Sequence, residues 1–439
     1  MNRDLFNTIV QNNSIKLKRY IKDYIPSGDG LMNQEAIYSL NNFETNLAPF
    51  QGLPTKSLTL SHIISYYDSL ECLLELYRFT DDLNVKSADG ISPFIYAILG
   101  QSIECAQFLF SIGVNVKETA FGKTPLYLAT KTGNYMLVKY ILDLGAMDPE
   151  SDAKNKFNPI VVAIKQEKID ILKLLLSYGY SLEYSVVQSP IFQAIRLGLD
   201  NGVELLLKFG CNVNFRKETG EFPLMFAIQL NKPEIVKLLL KWGADVKLIG
   251  PNQESLMHIC AETGNIGLMN LLLKKGVVCD TVDIQGKFPT FYALSAQPIE
   301  KATKAIEFLI NHGIDINSTD NQGRTVLSEA MSNPSLCKPE FISFLINKGA
   351  DPTMRAPGNA GKTIFSEAVD DSNFKSSEVL QILKSGCLKI EEKLRNAAEI
   401  RKENNYVSEI SVAISLQNRL RRLTKKTDVS QNPTAKNQN

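Results

Sequence analysis

The stretch Ala356-Pro357-Gly358-Asn359-Ala360-Gly361-Lys362-Thr363 fits a loose phosphate-loop pattern, a small residue followed five positions later by Gly-Lys-Thr. Such a loop holds nucleotide phosphates on converging backbone N–H groups, with the Lys on phosphate and the Thr hydroxyl on a metal ion. It needs a buried strand ahead of it and a long helix behind. The residues ahead, Gly349-Ala350-Asp351-Pro352-Thr353-Met354, read instead as a turn. An ATP- or GTP-dependent enzyme using Lys362 is therefore carried only as an alternative to be tested. His258, Cys260 and Cys279 could suggest a metal site, but no Cys-x-x-Cys or His-x-x-x-His spacing accompanies them. His62 and His312 have no partner of catalytic type near them in sequence, and neither Gly-x-Ser-x-Gly nor His-Glu-x-x-His occurs. No metal, cofactor or catalytic residue is assigned.

The chain has 439 residues, 44% of them hydrophobic, and a net charge of +1. That is enough apolar material for a large core, and the near-neutral total argues against a dedicated nucleic-acid binder. The seven cysteines follow no pairing motif, which suits free thiols in a reducing compartment. The start MNRDLFNTIV is interrupted by Arg3 and Asp4, so no signal peptide is expected. No apolar run approaches the ~18 residues that span a bilayer. The expectation is a cytoplasmic protein, with the nucleus open.

What organises the residues is a repeated grammar, clearest from Gly122 to Asp148. A polar run leads to Thr-Pro, and a helix containing a small residue follows. A turn, a second helix and a closing Gly complete the unit. The closing glycine recurs at 113, 145, 179, 210, 243, 276, 313, 349 and 386. It is expected at C′ of the second helix, in the left-handed conformation. The small residue recurs as Ala97, Ala129, Ala163, Ala194, Ala227, Cys260, Ala293, Ala330 and Ala368, where it lets helices approach closely. Pro opens the first helix at 93, 125, 159, 190, 223 and 289, preceded by Ser, Thr or Asn in four of the six. That combination places a capping side chain before a residue with no N–H to satisfy. Gly361-Lys362-Thr363 fills the slot that Gly122-Lys123-Thr124 fills earlier, so a helix start explains it without a nucleotide.

Nine units agreeing at these anchors, with Lys241-Trp242-Gly243-Ala244-Asp245-Val246 and Gly210-Cys211-Asn212-Val213-Asn214 as closing phrases, resemble the ankyrin repeat. The family's His is read only at His258. The resemblance covers roughly residues 59–387 and implies an all-α solenoid of stacked helix-turn-helix units with finger loops. It also implies a non-catalytic protein-binding scaffold or adaptor using the concave finger and helix surface.

Taken in order, residues 1–58 read as a helical cap, with a helix pair over 3–25 and a loop region holding a short helix near Gln34–Leu40. Residues 59–387 are the repeat domain, beginning with a degenerate unit. Its register is fixed by Ser69-Leu70-Glu71-Cys72, 33 residues before Ser102-Ile103-Glu104-Cys105. The last three units carry extra residues, expected in the turn between their helices, which thicken one edge and could serve binding. Residues 388–423 read as a helical segment and 424–439 as disordered. From Ser415 onward there are six Lys/Arg against Asp428, a charge of +5 that leaves about −4 for the rest.

The expected contact residues are Phe121, Tyr184, Phe215, Arg216 and Leu248, because aromatic, apolar or cationic groups there stand in finger positions. The partner is a protein, the chain is expected as a monomer, and no nucleic acid is expected. The basic residues Arg419, Arg421, Arg422, Lys425 and Lys426 suggest an alternative, a membrane-peripheral or nuclear-targeted regulator, with the membrane surface reached through this tail only.

Overall fold

The computed structural model describes residues 3–23, 58–80, 82–87, 89–145, 158–180, 182, 189–354, 363–370 and 378–400. These hold 22 helices, and pairing of strand type among them is an isolated bridge between Ala120 and Lys123. The chain divides into two compact units, Met1–Asp245 and Val246–Asn439.

The first unit holds seven helix pairs, from Arg3–Val10 with Ser14–Asp23 to Pro223–Gln229 with Pro233–Lys241. First helices pack on first helices and second on second, as Leu60–Tyr66 on Pro93–Gly100 and Leu70–Tyr77 on Ile103–Ser111. The capping prediction is met at three of the four positions where Ser, Thr or Asn precedes Pro, and fails at Ser189, whose side chain makes no cap hydrogen bond before Pro190. Ser92 Oγ accepts the N–H of Ile95, Thr124 Oγ1 that of Tyr127 and Asn158 Oδ1 that of Ile160. Phe222 precedes Pro223 and supplies no cap, so there the Pro alone opens the helix. The repeated alanines are fully buried at 97, 129, 163, 194 and 227.

The N-terminal helix pair is a complete member of this stack. Ser69 Oγ donates to the carbonyl of Ile9 at 2.5 Å, as Ser102 Oγ donates to Tyr66 at 3.0 Å. The Cys72 N–H donates to Asn12 Oδ1 at 3.1 Å, as that of Cys105 donates to Asp68 Oδ1 at 3.1 Å. Asn12 and Asp68 both hold a left-handed φ, near 50°, which a short polar side chain tolerates. The loop region with its short helix near Gln34–Leu40 lies outside the described residues.

The second unit holds four pairs: Leu256–Thr263 with Ile266–Lys274, Pro289–Ala293 with Ile299–Asn311, Val326–Ser332 with Pro339–Asn347, and Ile364–Asp370 with Glu378–Ile400. The extra residues are absorbed in two ways. In the second pair the second helix lengthens to 13 residues, so helix as well as turn takes them up, contrary to the turn-only expectation. In the third pair the second helix keeps 9 residues and the turn 333–338 takes them.

Eight of the nine closing glycines have φ between 67° and 97°, from Gly113 to Gly349. Gly386 does not. It lies inside the 23-residue helix Glu378–Ile400, which runs straight across the position where a turn was expected. A Cβ there would stand 3.0 Å from Ile346 Cγ2, so this glycine serves close helix packing.

Candidate functional site

The polar side chains with apparent chemistry are occupied by structure. His258 is the third residue of its helix and closes a capping box. The Ser255 N–H donates to its Nδ1 at 3.1 Å, and its Nε2 donates to the Lys287 carbonyl at 3.0 Å. A backbone N–H can only donate and a carbonyl can only accept, so the ring is neutral, protonated on Nε2, with no lone pair free for a metal. His62 repeats this arrangement. The Thr59 N–H donates to Nδ1 at 3.1 Å and Nε2 donates to Ile91 O at 2.9 Å. The family's histidine slot is therefore filled twice, correcting the reading that it survives only at His258. Thr59-Leu60-Ser61-His62 beside Ser255-Leu256-Met257-His258 was the available signal. Burial lowers both pKa values, that of His62 to about 4.

All seven cysteines are free, and burial pushes Cys72 up to about 12 and Cys211 up to about 11. A thiolate is the nucleophile and the metal ligand, and these thiols stay protonated at neutral pH. Among the described residues no group of three or more His, Cys, Asp or Glu is placed to hold a metal ion. Lys362 lies outside the described residues. The adjoining Thr363 hydroxyl accepts the Ser366 N–H at 3.1 Å, so it caps a seven-residue helix.

The fingers are built on a common backbone turn. The N–H of Ser87, Lys217, Gly250, Asp283 and Asp320 each donates to the carbonyl four residues on. The residue three on, Gly90, Gly220, Gln253, Gly286 or Gly323, is left-handed in each case. Asp283 and Asp320 lock their turns further, each Oδ1 accepting two N–H groups at 2.8 to 2.9 Å. In the finger at 120 the turn is tighter: Ala120 and Lys123 exchange both hydrogen bonds around Phe121 and Gly122, which have φ of 54° and 71°.

In the first unit Phe121 stands at such a tip with 61% of its surface exposed. Phe215 is half-buried and meets the Phe192 ring edge-on at 6.4 Å between centroids. Arg216 is exposed, its guanidinium 5.9 Å from the Phe222 ring. The next residue of this finger run is Lys217. Its ammonium lies 3.9 Å from the Phe192 ring centre and 2.8 Å from Glu221 Oε2, which pins the finger to the helices beneath. Tyr184 lies outside the described residues, as do Arg419, Arg421, Arg422, Lys425 and Lys426.

In the second unit Leu248 is half-buried, while its neighbour Ile249 is 46% exposed. Val282 and Ile284 on the next finger are 45% and 58% exposed. These fingers are joined by backbone. The Ile284 N–H donates to Asn252 O and the Asn321 N–H to Gln285 O, both at 2.9 Å. Below them opens a cleft of about 420 Å³. Finger residues Asn252, Asp283 and Gln285 form one wall. Glu262, Tyr292 and Glu329 from the first helices line it, as do Gln297, Asn333 and Ser335 from the enlarged turns. The insertions visible in the sequence thus line a cleft, which needed three successive units to be assembled. Asp283 Oδ2 accepts the Tyr292 hydroxyl at 2.9 Å, and burial followed by this bond raises the Tyr292 pKa. Among the described residues no helix is long and apolar enough to cross a membrane.

The family model for ankyrin repeats (three copies) matches residues 60–153, 109–186, 160–250 and 256–356, more than half of the chain. An ankyrin repeat protein of Rickettsia felis is 24% identical over 284 residues, 57% of this chain and 73% of that protein. The transient receptor potential channel pyrexia of Drosophila melanogaster is 27% identical over 173 residues, covering 38% of this chain and 17% of the channel. Inversin of Canis lupus familiaris is 26% identical over 139 residues, 30% of this chain and 13% of inversin. This chain therefore spans only a small part of those two larger proteins. Among solved structures, the ankyrin repeat domain of Bcl-3 aligns at 23% identity with a TM-score of 0.41, covering 52% of this chain and 97% of that one. With the family model matched across both units and the helix pairs, caps and fingers in register with it, this chain belongs to the ankyrin repeat family.

Proposed function

We propose that the chain is a non-catalytic scaffold or adaptor whose finger and first-helix surfaces hold a protein partner. Ankyrin repeats are generally protein–protein interaction modules and are typically non-catalytic. The observation that carries the reading is the set of apolar side chains held in water on consecutive fingers: Ile249, Val282 and Ile284. They stand on hydrogen-bonded backbone turns, so little conformational freedom is lost when a partner covers them. Phe121 offers an aromatic anchor of the same kind on the first unit, and Arg216 a cationic one. Phe215 and Leu248, both half-buried, would contribute edges, and Tyr184 belongs to the same proposed set. In this reading the chain works as a monomer in the cytosol, where seven free thiols persist.

The test is capture from native lysate on full-length bait beside an Ile249→Asp/Ile284→Asp bait. A stoichiometric protein held by the first and lost from the second, with the circular dichroism of the two baits equal, supports the finger surface. A protein held equally by both places the contact elsewhere.

A further inference from the structure

We propose that the cleft of the second unit is covered by this chain's own basic segment, Arg419–Lys426, until a partner displaces it. The inference rests on the finger face being the binding face and adds what occupies it in the free protein. The cleft presents three carboxylates, Glu262, Asp283 and Glu329, against one ammonium, Lys287. Lys287 and Arg324 both lean on Glu329, at 3.7 and 3.1 Å, which leaves Glu262 without an ion pair or hydrogen bond among the described residues. Burial, and then the neighbouring Glu254, hold the Glu262 carboxyl above the usual carboxylate range. A cation placed there would relieve both carboxylates. Two exposed apolar residues adjoin this charge in sequence: Ile284 stands between the lining residues Asp283 and Gln285, and Val282 precedes them.

The segment Arg419-Leu420-Arg421-Arg422-Leu423-Thr424-Lys425-Lys426 carries five cations, no acid and two leucines. It thus offers both chemistries that the cleft and these apolar neighbours lack partners for. Its tether permits the contact. The 19 residues from Ile400, the end of the last described helix, to Arg419 can reach up to roughly 60 Å when extended. A short tether also sets an effective concentration on the order of millimolar, so individually weak contacts suffice.

Zero-length carbodiimide coupling of the full chain at low concentration, followed by peptide mass spectrometry of the monomer, tests this. The expected products join Lys425 or Lys426 to Glu262, Asp283 or Glu329. Their yield should fall at least about tenfold in about 0.5 M salt, where the screening length is near 4 Å. The same loss is expected for Arg419→Gln/Arg421→Gln/Arg422→Gln, which keeps both lysines and leaves the repeats untouched. Coupling that occurs only between two chains, that spreads over carboxylates without preference, or that survives the Arg→Gln changes overturns the proposal. No partner enters this experiment, so its failure leaves the finger-surface reading standing, and failure of the capture experiment does not decide the coupling result.

Discussion

Acid should loosen the N-terminal repeats through His62. Its ring is fully buried and receives the Thr59 N–H on Nδ1 while Nε2 donates to Ile91 O. A proton added to Nδ1 would face a donor, and burial already disfavours the charge, so the folded pKa falls from 6.5 to about 4. The unfolded chain therefore takes up the proton first. Between these two values it binds more protons than the folded chain, and stability declines as pH drops. Above about pH 7 both forms are neutral and the effect vanishes. Each tenfold difference in proton affinity between the two states is worth about 1.36 kcal/mol, so the loss reaches about 2 kcal/mol at pH 5 and about 3 kcal/mol at pH 4. His258, whose pKa is lowered for the same first reason, acts in the same direction within the second unit. The chain has three histidines, so NMR titration of the imidazoles can be assigned by single substitution. A His62 midpoint near 4 is expected, and urea unfolding of the wild type should lose more stability from about pH 7 to about pH 5 than His62→Gln does. A His62 midpoint above about 6, or equal pH dependence in the two proteins, refutes the reasoning.

Leu239 and Leu272 are fully buried in second helices of the two units, and either Leu→Ala change should cost about 2–5 kcal/mol through transfer and cavity terms; unmoved denaturant midpoints would contradict that. Gly243 has φ of +82° and no atom within 4 Å of a built Cβ, so Gly243→Val should cost about 1–3 kcal/mol from backbone strain alone, with Gly243→Asn much milder. If the two variants melt together, strain is not the cause. Asn12→Ala removes the acceptor for the Cys72 N–H and should raise hydrogen exchange across Arg3–Val10 and Ser14–Asp23 by about an order of magnitude, while exchange in Ile169–Ser177 stays as it was. Magnesium-ATP at millimolar concentration should leave Tm unchanged; a rise in Tm abolished by Lys362→Ala would revive the nucleotide reading.

The repeating residues were legible because each one answers a local requirement that returns with every unit. Ala97 and its counterparts meet a helix, the closing glycines meet a left-handed turn, and Thr124 caps the helix that Pro125 opens. Legibility failed where a requirement was not local. Gly386 looks like a closing glycine by spacing, yet its reason is Ile346, a residue of the preceding helix pair. His62 was overlooked because its unit lacks the Pro and Gly that marked the others, although its Thr-Leu-Ser-His run keeps the register. The cleft draws on fingers, first helices and enlarged turns of successive units, and no single stretch of sequence announces it. Lys217 is similar: its ring partners Phe192 and Phe226 come from two different units. The turns Asp283-Ile284-Gln285-Gly286 and Asp320-Asn321-Gln322-Gly323 were readable in principle, since Asp three residues before Gly is a side-chain-locked turn.

The helix Glu378–Ile400 bears on how such molecules avoid joining end to end. A stack of identical units exposes, at its last member, the same face that every internal member offers its successor, so two chains could continue one another as readily as two repeats do. Here the final helix runs on for 23 residues, about 34 Å, where the other units turn back into a finger. Among the described residues, then, this last helix pair closes on continuous helix at Gly386 and not on the left-handed turn from which a finger springs, so the contact offered there differs from the one each earlier unit offers its successor.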